Sequence, residues 1–205
     1  MAIKIRPATE SDIPQMHSIF THYVLNTVIT FLINKPPLSY VADKLYATRD
    51  RGLPFLVAVE RPEGANTSNE VDAQEKVCGY TQVSPFRGQL LAYGPTVELS
   101  LFVHPDYQSQ GIGSKLLSSL IELLKETKHR AREFAGDLEH EVGIQDGFPV
   151  KNVLAVMAVD TEGKNGGEGL REWYVQRGFV ERGRMKEVGF KFGKWVDTIY
   201  LQYIL

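Results

Sequence analysis

Residues 96–124 carry the most restrictive pattern in the chain. An alternating strand, a His-Pro stop, a glycine-bearing loop and an amphipathic helix follow one another without a break. Over 96–103, Val97, Leu99, Leu101 and Val103 point to one face while Glu98, Ser100 and Phe102 point to the other, the period of a β-strand. His104-Pro105 closes it, and Gln108-Ser109-Gln110-Gly111-Ile112-Gly113-Ser114 leads into a helix. Ile112, Leu116, Leu117, Leu120, Ile121 and Leu124 form its apolar stripe, with Lys115, Ser118, Glu122 and Lys125 opposite. Such a turn aims several backbone N–H groups outward at the positive end of a helix, which makes an anion cradle. Two glycines alone read equally well as a tight packing turn. The spacing is neither the Gly-x-x-x-x-Gly-Lys-Ser/Thr of a nucleoside triphosphatase nor a Gly-x-Gly-x-x-Gly after the first strand.

The remaining elements predict a mixed α/β sheet with helices on both faces, in one domain of 205 residues. Ile3 and Ile5 alternate with Lys4 and Arg6 before Pro7, a short first strand. Thr9, Ser11 and Asp12 offer caps to a helix carrying Ile13, Met16, Ile19, Phe20 and Tyr23. A second helix is expected from a Ser39 cap to about Arg49, stopped by Gly52. Strands are expected at 55–60, 77–84, 96–103 and 153–159, a short helix at 170–177 ended by Gly178, and two strands around Gly193-Lys194. Residues 61–76 hold almost nothing able to fill a core and read as a long, mobile hairpin loop. Residues 127–150 are charged and poorly periodic, which predicts a helix extension running into a surface insertion.

Composition removes several function classes. Lys plus Arg total 23 against 25 for Asp plus Glu, a formal net charge of −2 that offers no basic field to nucleic acid. No apolar run approaches the roughly 20 residues of a membrane helix, so no membrane association is expected. Cys78 is a lone thiol, which suits a reducing compartment; with no secretory signal visible, the expected location is cytoplasmic. His17, His22, His104, His129 and His140 show no metal-ligand spacing with Cys78 or one another, so no metal is expected.

The Gln-x-x-Gly-x-Gly run, Gln108 to Gly113, after a strand ending Val-His-Pro resembles the acyl-coenzyme-A loop of the GNAT superfamily of N-acyltransferases. Further fragments fall in order: Ile5-Arg6-Pro7-Ala8-Thr9, Tyr23-Val24-Leu25-Asn26-Thr27, Thr30-Phe31, Pro36-Pro37, Gly79-Tyr80 and Pro85-Phe86-Arg87. Ala92-Tyr93, Thr96-Val97-Glu98, Tyr174 before Gly178-Phe179, and the run from Val188 to Asp197 complete the set. Together they resemble the phosphinothricin and methionine sulfone N-acetyltransferase branch over nearly the whole chain, apart from 61–76 and 127–150. The resemblance implies a GNAT fold with a central mixed sheet of about seven strands. It also implies a V-shaped splay between the strand ending at Val103 and the one beginning near Val153, where acetyl-CoA lies. The implied cofactor-binding residues are Leu101, Phe102, Val103, Gln108, Ser109, Gln110, Gly111, Ile112, Gly113 and Ser114.

The expected chemistry is direct attack by the α-amine of a small amino acid or analogue. A protonated amine cannot attack a thioester, so a base is needed within direct or one-water reach. Glu98 stands at the branch's position for it, on a strand where desolvation raises a carboxyl pKa; read alone, it is more simply a carboxylate paired with a neighbouring Arg or capping a backbone group. Tyr174, four residues before Gly178, is the implied acid for the departing thiolate, and otherwise a core tyrosine with its hydroxyl at a sheet edge. The superfamily's pantetheine-contacting asparagine falls at Gly167 here, with Asn165 two residues earlier as its substitute. Arg87 is the implied partner of a substrate carboxylate, with Gln89 where the branch often has a second Arg. Phe31 and Tyr93 are the implied pocket walls. The family commonly forms homodimers, and residues 195–205 suit either an interface or an inner strand. The rival readings are acetylation of protein N-termini or lysines, and a non-catalytic acyl-coenzyme-A sensor.

Overall fold

The computed structural model describes residues 2–61, 75–88, 90–134, 141–143 and 146–205, with the backbone alone for 61, 134 and 141–143. The chain runs β1 (Ala2–Pro7), α1 (Ile13–Asn26), α2 (Leu38–Asp50), β2 (Phe55–Arg61), β3 (Lys76–Pro85), β4 (Thr96–Val103) and α3 (Ile112–Glu126). Four short strands follow: β5 (Lys128–His129), β6 (Arg132–Phe134), β7 (Glu141–Gly143) and β8 (Phe148–Pro149). β9 (Asn152–Ala158), α4 (Glu168–Val175), β10 (Val180–Lys191) and β11 (Lys194–Ile204) complete it. Seven strands form one sheet in the order β1-β2-β3-β4-β9-β11-β10. Every neighbouring pair is antiparallel except β4 with β9.

Alternation along the strands builds a core on each face of this sheet. On one side Leu56, Ala58, Val97 and Leu99 meet Ile112, Leu116, Leu120 and Leu124 of α3, with Tyr174 and Phe179. On the other, Phe55, Val57 and Val59 meet Met16, Ile19, Phe20 and Val24 of α1 and Val41 and Leu45 of α2. The period-two reading of 96–103 therefore holds: Leu101 and Val103 pack toward the α3 side and Phe102 toward the α1 side.

The parallel pair sets up the site. β4 and β9 are in register only from Thr96↔Asn152 to Leu99↔Ala155, although β4 continues to Val103 and β9 to Ala158. On their outer sides β4 stays paired with β3 as far as Val103↔Gly79, and β9 with β11 as far as Ala158↔Thr198. The two inner edges part beyond Leu99, opening a V along which β4 has no strand partner on that side among the described residues.

Several local expectations change. α2 begins at Leu38 after Pro37, without a side-chain cap, because the extended Pro37 starts the helix one residue before Ser39. Residues 127–150 do not extend α3. The helix stops at Glu126, and β5 pairs with β8 and β6 with β7 as two small ribbons. His129 anchors the first: it is buried, and its Nδ1 lies 2.7 Å from Gly94 O. The final hairpin turns on Phe192 and Gly193, both at positive φ (51° and 74°), one residue earlier than expected. β11 is an inner strand between β9 and β10. The 61–76 loop lies largely outside the described residues, as do His140 and Gln89. Among the described residues no helix is long and apolar enough to cross a membrane.

Candidate active site

Two adjoining cavities occupy the two ends of the V. The first, about 430 Å³, lies on the α1–α2 side and is lined by Thr30, Phe31, Lys44, Gln82, Glu98 and Ser100 among others. The second, about 440 Å³, follows the loop before α3 and is lined by Leu101, Val103, Gln108, Ser109, Gly111, Ile112, Gly113 and Ser114, with Trp173 opposite. Ile29, Leu101, Leu170 and Tyr174 border both, so the two meet at the opening of the strands.

The second cavity is a groove made for an extended, anionic molecule. Its far end is the N-terminus of α3, where Gly111 adopts φ +79° and no side chain caps the first turn. A left-handed backbone there suits glycine, and a Cβ would meet nothing within 4 Å, so the loop is open at this point of the groove. Gly113 points at the groove wall: a Cβ would stand 3.6 Å from Trp173 and Val103, ordinary contact that narrows the passage. Lys164 adds a cation to the lining, and Arg177, stacked 4.1 Å from the centroid of the Trp173 ring, donates from Nη2 to Ser114 Oγ at 2.7 Å. Gln108 holds the loop in place. Its Nε2 donates to Tyr23 Oη at 2.9 Å, and that hydroxyl donates to Val103 O at 2.5 Å, tying loop, α1 and the end of β4 together.

Glu98 lies in the wall of the first cavity, half-buried, with no hydrogen bond or ion pair to any described residue. Burial pushes its carboxyl above the ordinary range, and the nearby Lys44 ammonium offsets part of that rise. Tyr174, on α4, is buried between Trp173 and Phe179, with ring centroids at 4.9 and 5.0 Å. Burial holds its phenol well above the usual range, so it carries its proton at neutral pH. A desolvated carboxylate and a protonated phenol thus line the same first cavity, and Tyr174 also borders the second, the pairing that an acid–base transfer requires.

The other sequence-derived candidates divide. Phe31 lines the first cavity; Arg87 and Tyr93 do not. Arg87 is exposed at φ 55°, with its guanidinium 6.0 Å from the centroid of the Phe86 ring, and Tyr93 packs on the other contact of that ring at 5.1 Å. The Phe102 side chain lines the first cavity with Phe20 and Tyr80, on the face away from the groove. Gln110 is exposed and donates to Asp106 O, outside both cavities. Asn165 is exposed too, and its Nδ2 donates to Glu172 Oε2 at 2.9 Å. Gly167 accepts no side chain at all: φ is +92° and a Cβ would stand 2.7 Å from Asp160 O. Lys164 and Gly169 border the groove at that point instead. Tyr23, Lys44, Gln82, Trp173 and Arg177 were not expected at the site, since Tyr23, Lys44, Trp173 and Arg177 also fit helix faces and Gln82 the interior of a strand. The one usable hint was the i, i+4 spacing of Tyr40 and Lys44, whose Nζ stands 5.0 Å from the Tyr40 ring centroid. No cluster of metal-ligating side chains occurs among the described residues.

Comparison with known proteins decides the family, because residues 31–139 match the Acetyltransferase (GNAT) family. The chain belongs to the GNAT acetyltransferases. An L-methionine sulfoximine/L-methionine sulfone acetyltransferase of Pseudomonas aeruginosa is 30% identical over 207 aligned residues, covering 98% of this chain and 94% of that one. The GNAT phosphinothricin acetyltransferase of Sinorhizobium meliloti, solved in complex with AcCoA, is 27% identical with a TM-score of 0.72, covering 100% of this chain and 89% of that one. A ribosomal-protein-alanine N-acetyltransferase from Brucella melitensis is 28% identical with a TM-score of 0.73, covering 98% and 99%. This GNAT chain therefore shares its architecture with enzymes that differ in the amine they are named for.

Proposed function

We propose that this chain transfers an acetyl group from acetyl-CoA to the α-amine of a small amino acid or analogue, by direct attack, with Glu98 as base and Tyr174 as acid. The observation that carries the reading is the first cavity, lined by a desolvated, unpaired carboxylate, Glu98, and by the protonated phenol of Tyr174, which also borders the second cavity.

The groove fits the carrier from end to end. The amides of Ile112, Gly113 and Ser114, with Lys164 and Arg177 nearby, suit a diphosphate, and the edge of β4 beyond Leu99, where β9 no longer pairs, suits the amides of a pantetheine arm as far as Val103, whose carbonyl Tyr23 already holds. When bound, acetyl-CoA supplies an acyl group activated on sulfur. Glu98 takes the proton of the incoming ammonium, directly or through one water, so that a neutral amine faces the passage. Its raised pKa brings its basicity nearer working pH than an ordinary glutamate's. The Tyr174 hydroxyl donates its hydrogen bond toward the departing sulfur; a phenol buried among Trp173 and Phe179 keeps its proton until such an acceptor arrives.

The likeness to the ribosomal-protein-alanine acetyltransferase favours a second reading, in which a protein N-terminus is the acceptor. A cavity of about 430 Å³ walled by Phe31, Lys44 and Glu98 suits a free amino acid better than a chain that must pass through it. A free-thiol assay with acetyl-CoA against the common amino acids, methionine sulfone, phosphinothricin and an alanine-led peptide tests the choice. Turnover of one or more free amino acids is expected; turnover of the peptide alone overturns the reading, and cofactor binding without thiol release on any amine supports the sensor instead.

A further inference from the structure

A free α-amino acid carries a carboxylate beside its amine, and the cavity must neutralise it. Arg87 is exposed outside that cavity. Among the described residues lining it, Glu98 and Lys44 are the charged pair, and no ion pair within 4.0 Å joins them. Lys44 instead stands over the Tyr40 ring, 5.0 Å from its centroid, and Tyr40 is itself stacked on Phe20 at 5.4 Å. An aromatic face steadies the ammonium without using its N–H donors. Gln82 stands on the same face of the sheet. It is directly opposite Ser100 in register, with Glu98 two residues along β4. It is only 4% exposed, and its Oε1 accepts from Thr48 Oγ1 at 3.2 Å, which turns its NH2 group away from Thr48. The wall thus offers one unpaired carboxylate, one unpaired ammonium and one amide donor around a single space. An anion alone fits half of that set and a simple amine the other half; a zwitterion fits both.

Building on the reading of an amino-acid acceptor, we infer that Lys44, with the Gln82 amide beside it, holds the substrate's α-carboxylate while Glu98 faces its ammonium. Lys44 is then the residue that makes the enzyme select amino acids over plain amines.

The test compares kcat/KM for L-methionine sulfone with that for the primary amine identical except for the missing carboxylate, in the wild type and in Lys44→Met, Lys44→Arg and Arg87→Met. The ratio of acid to amine isolates the carboxylate contact, because any effect of Lys44 on the basicity of Glu98 acts on both substrates alike. The expected result is a fall of that ratio by about 10- to 100-fold in Lys44→Met, mostly through KM, the size of a lost charge-assisted hydrogen bond. Lys44→Arg is expected to restore much of the ratio and Arg87→Met to leave it unaltered. A ratio unchanged in Lys44→Met, with the wild type acetylating methionine sulfone, overturns this inference alone, as does a collapse in Arg87→Met instead. A wild type that acetylates no amino acid overturns the proposed function and this inference with it.

Discussion

Phe31 lies so close to Gly189 that a Cβ built on the glycine would stand 2.1 Å from Phe31 Cε1. One residue is in the wall of the acceptor cavity and the other is in β10, at the opposite edge of the sheet. The contact is reinforced next door, where the buried Lys191 donates from Nζ to Thr30 O at 2.8 Å. β10 reaches this position through an irregularity between Met185 and Gly189, pinned by Asp197, whose carboxylate accepts from Lys186 Nζ and from Glu187 N at 2.7 and 3.0 Å. The cavity wall is therefore set by a hairpin more than 150 residues downstream of it, as the Thr30–Lys191 separation of 161 shows.

Gly189→Ala should push the half-exposed Phe31 ring aside without unfolding the protein, since a flexible side chain gives way before backbone does. The expected effect is a rise in acceptor KM by roughly 3- to 10-fold, about 1 kcal/mol of lost packing. Steady-state kinetics should show the KM for acetyl-CoA unmoved; a shift of both constants together would argue for a general disturbance of the sheet.

Glu98→Gln should lower kcat/KM by about 10²–10⁴-fold if the carboxylate is the base. Because its folded pKa is raised, activity in the wild type should climb with pH through a midpoint above the ordinary carboxylate value of about 4.3. That acid limb should vanish in Glu98→Gln and move to higher pH in Lys44→Met, which removes the one charge that lowers the pKa. Calorimetry should find the acetyl-CoA affinity of Glu98→Gln close to wild type.

Tyr174→Phe keeps the aromatic contacts with Trp173 and Phe179 and removes only the hydroxyl. A fall in kcat of about 10²-fold, with acceptor KM little changed, is expected from loss of one donor to a developing charge. Equal turnover would assign the phenol to packing alone.

Gly111→Ala places a Cβ on a residue at φ +79°, a conformation that costs a non-glycine residue about 1–2 kcal/mol. The amides at the start of α3 should lose their alignment, and acetyl-CoA should bind about 5- to 30-fold more weakly by titration calorimetry. Acceptor KM measured at saturating acetyl-CoA should stay the same.

Asp12 is an anchor for the N-terminal strand. Burial alone would raise its pKa, but Arg6 donates to both oxygens at 2.7 and 2.8 Å and Thr9 donates from both N and Oγ1, so the net direction is down. A depressed carboxyl stabilises the fold above its unfolded pKa of about 3.9, and that stability is lost as pH falls through the lower folded value. Asp12→Asn should therefore cost about 1–3 kcal/mol at pH 7 in urea unfolding, with the difference from wild type shrinking in acid.

Element types were readable wherever one period dominated. The alternation of 96–103 and the stripe of α3 need only neighbours in sequence, because side-chain direction in a strand or helix follows from backbone geometry. The glycine loop between them was readable for the same reason, whereas the family and the candidacy of Glu98 came from the resemblance of fragments spread along the chain. Residues on turns were not. Arg87 and Tyr93 stood at the family's positions and Asn165 two residues before one, yet Arg87 rests beside Phe86, Tyr93 packs on that same ring and Asn165 bonds Glu172. A turn residue takes its direction from whatever lies nearest in space, which no local period encodes.

The first cavity belongs to this second kind. Its floor comes from β4, whose pattern announced it, but its charged and aromatic wall joins α2, the loop after α1 and, behind that, β10. Local sequence was enough to write the strand that carries Glu98, the glycine loop and the helix after it into the chain. Bringing Lys44 round to face Glu98, and Gly189 up behind Phe31, took contacts between distant segments, because those alignments depend on how the helices and the last hairpin close over the sheet.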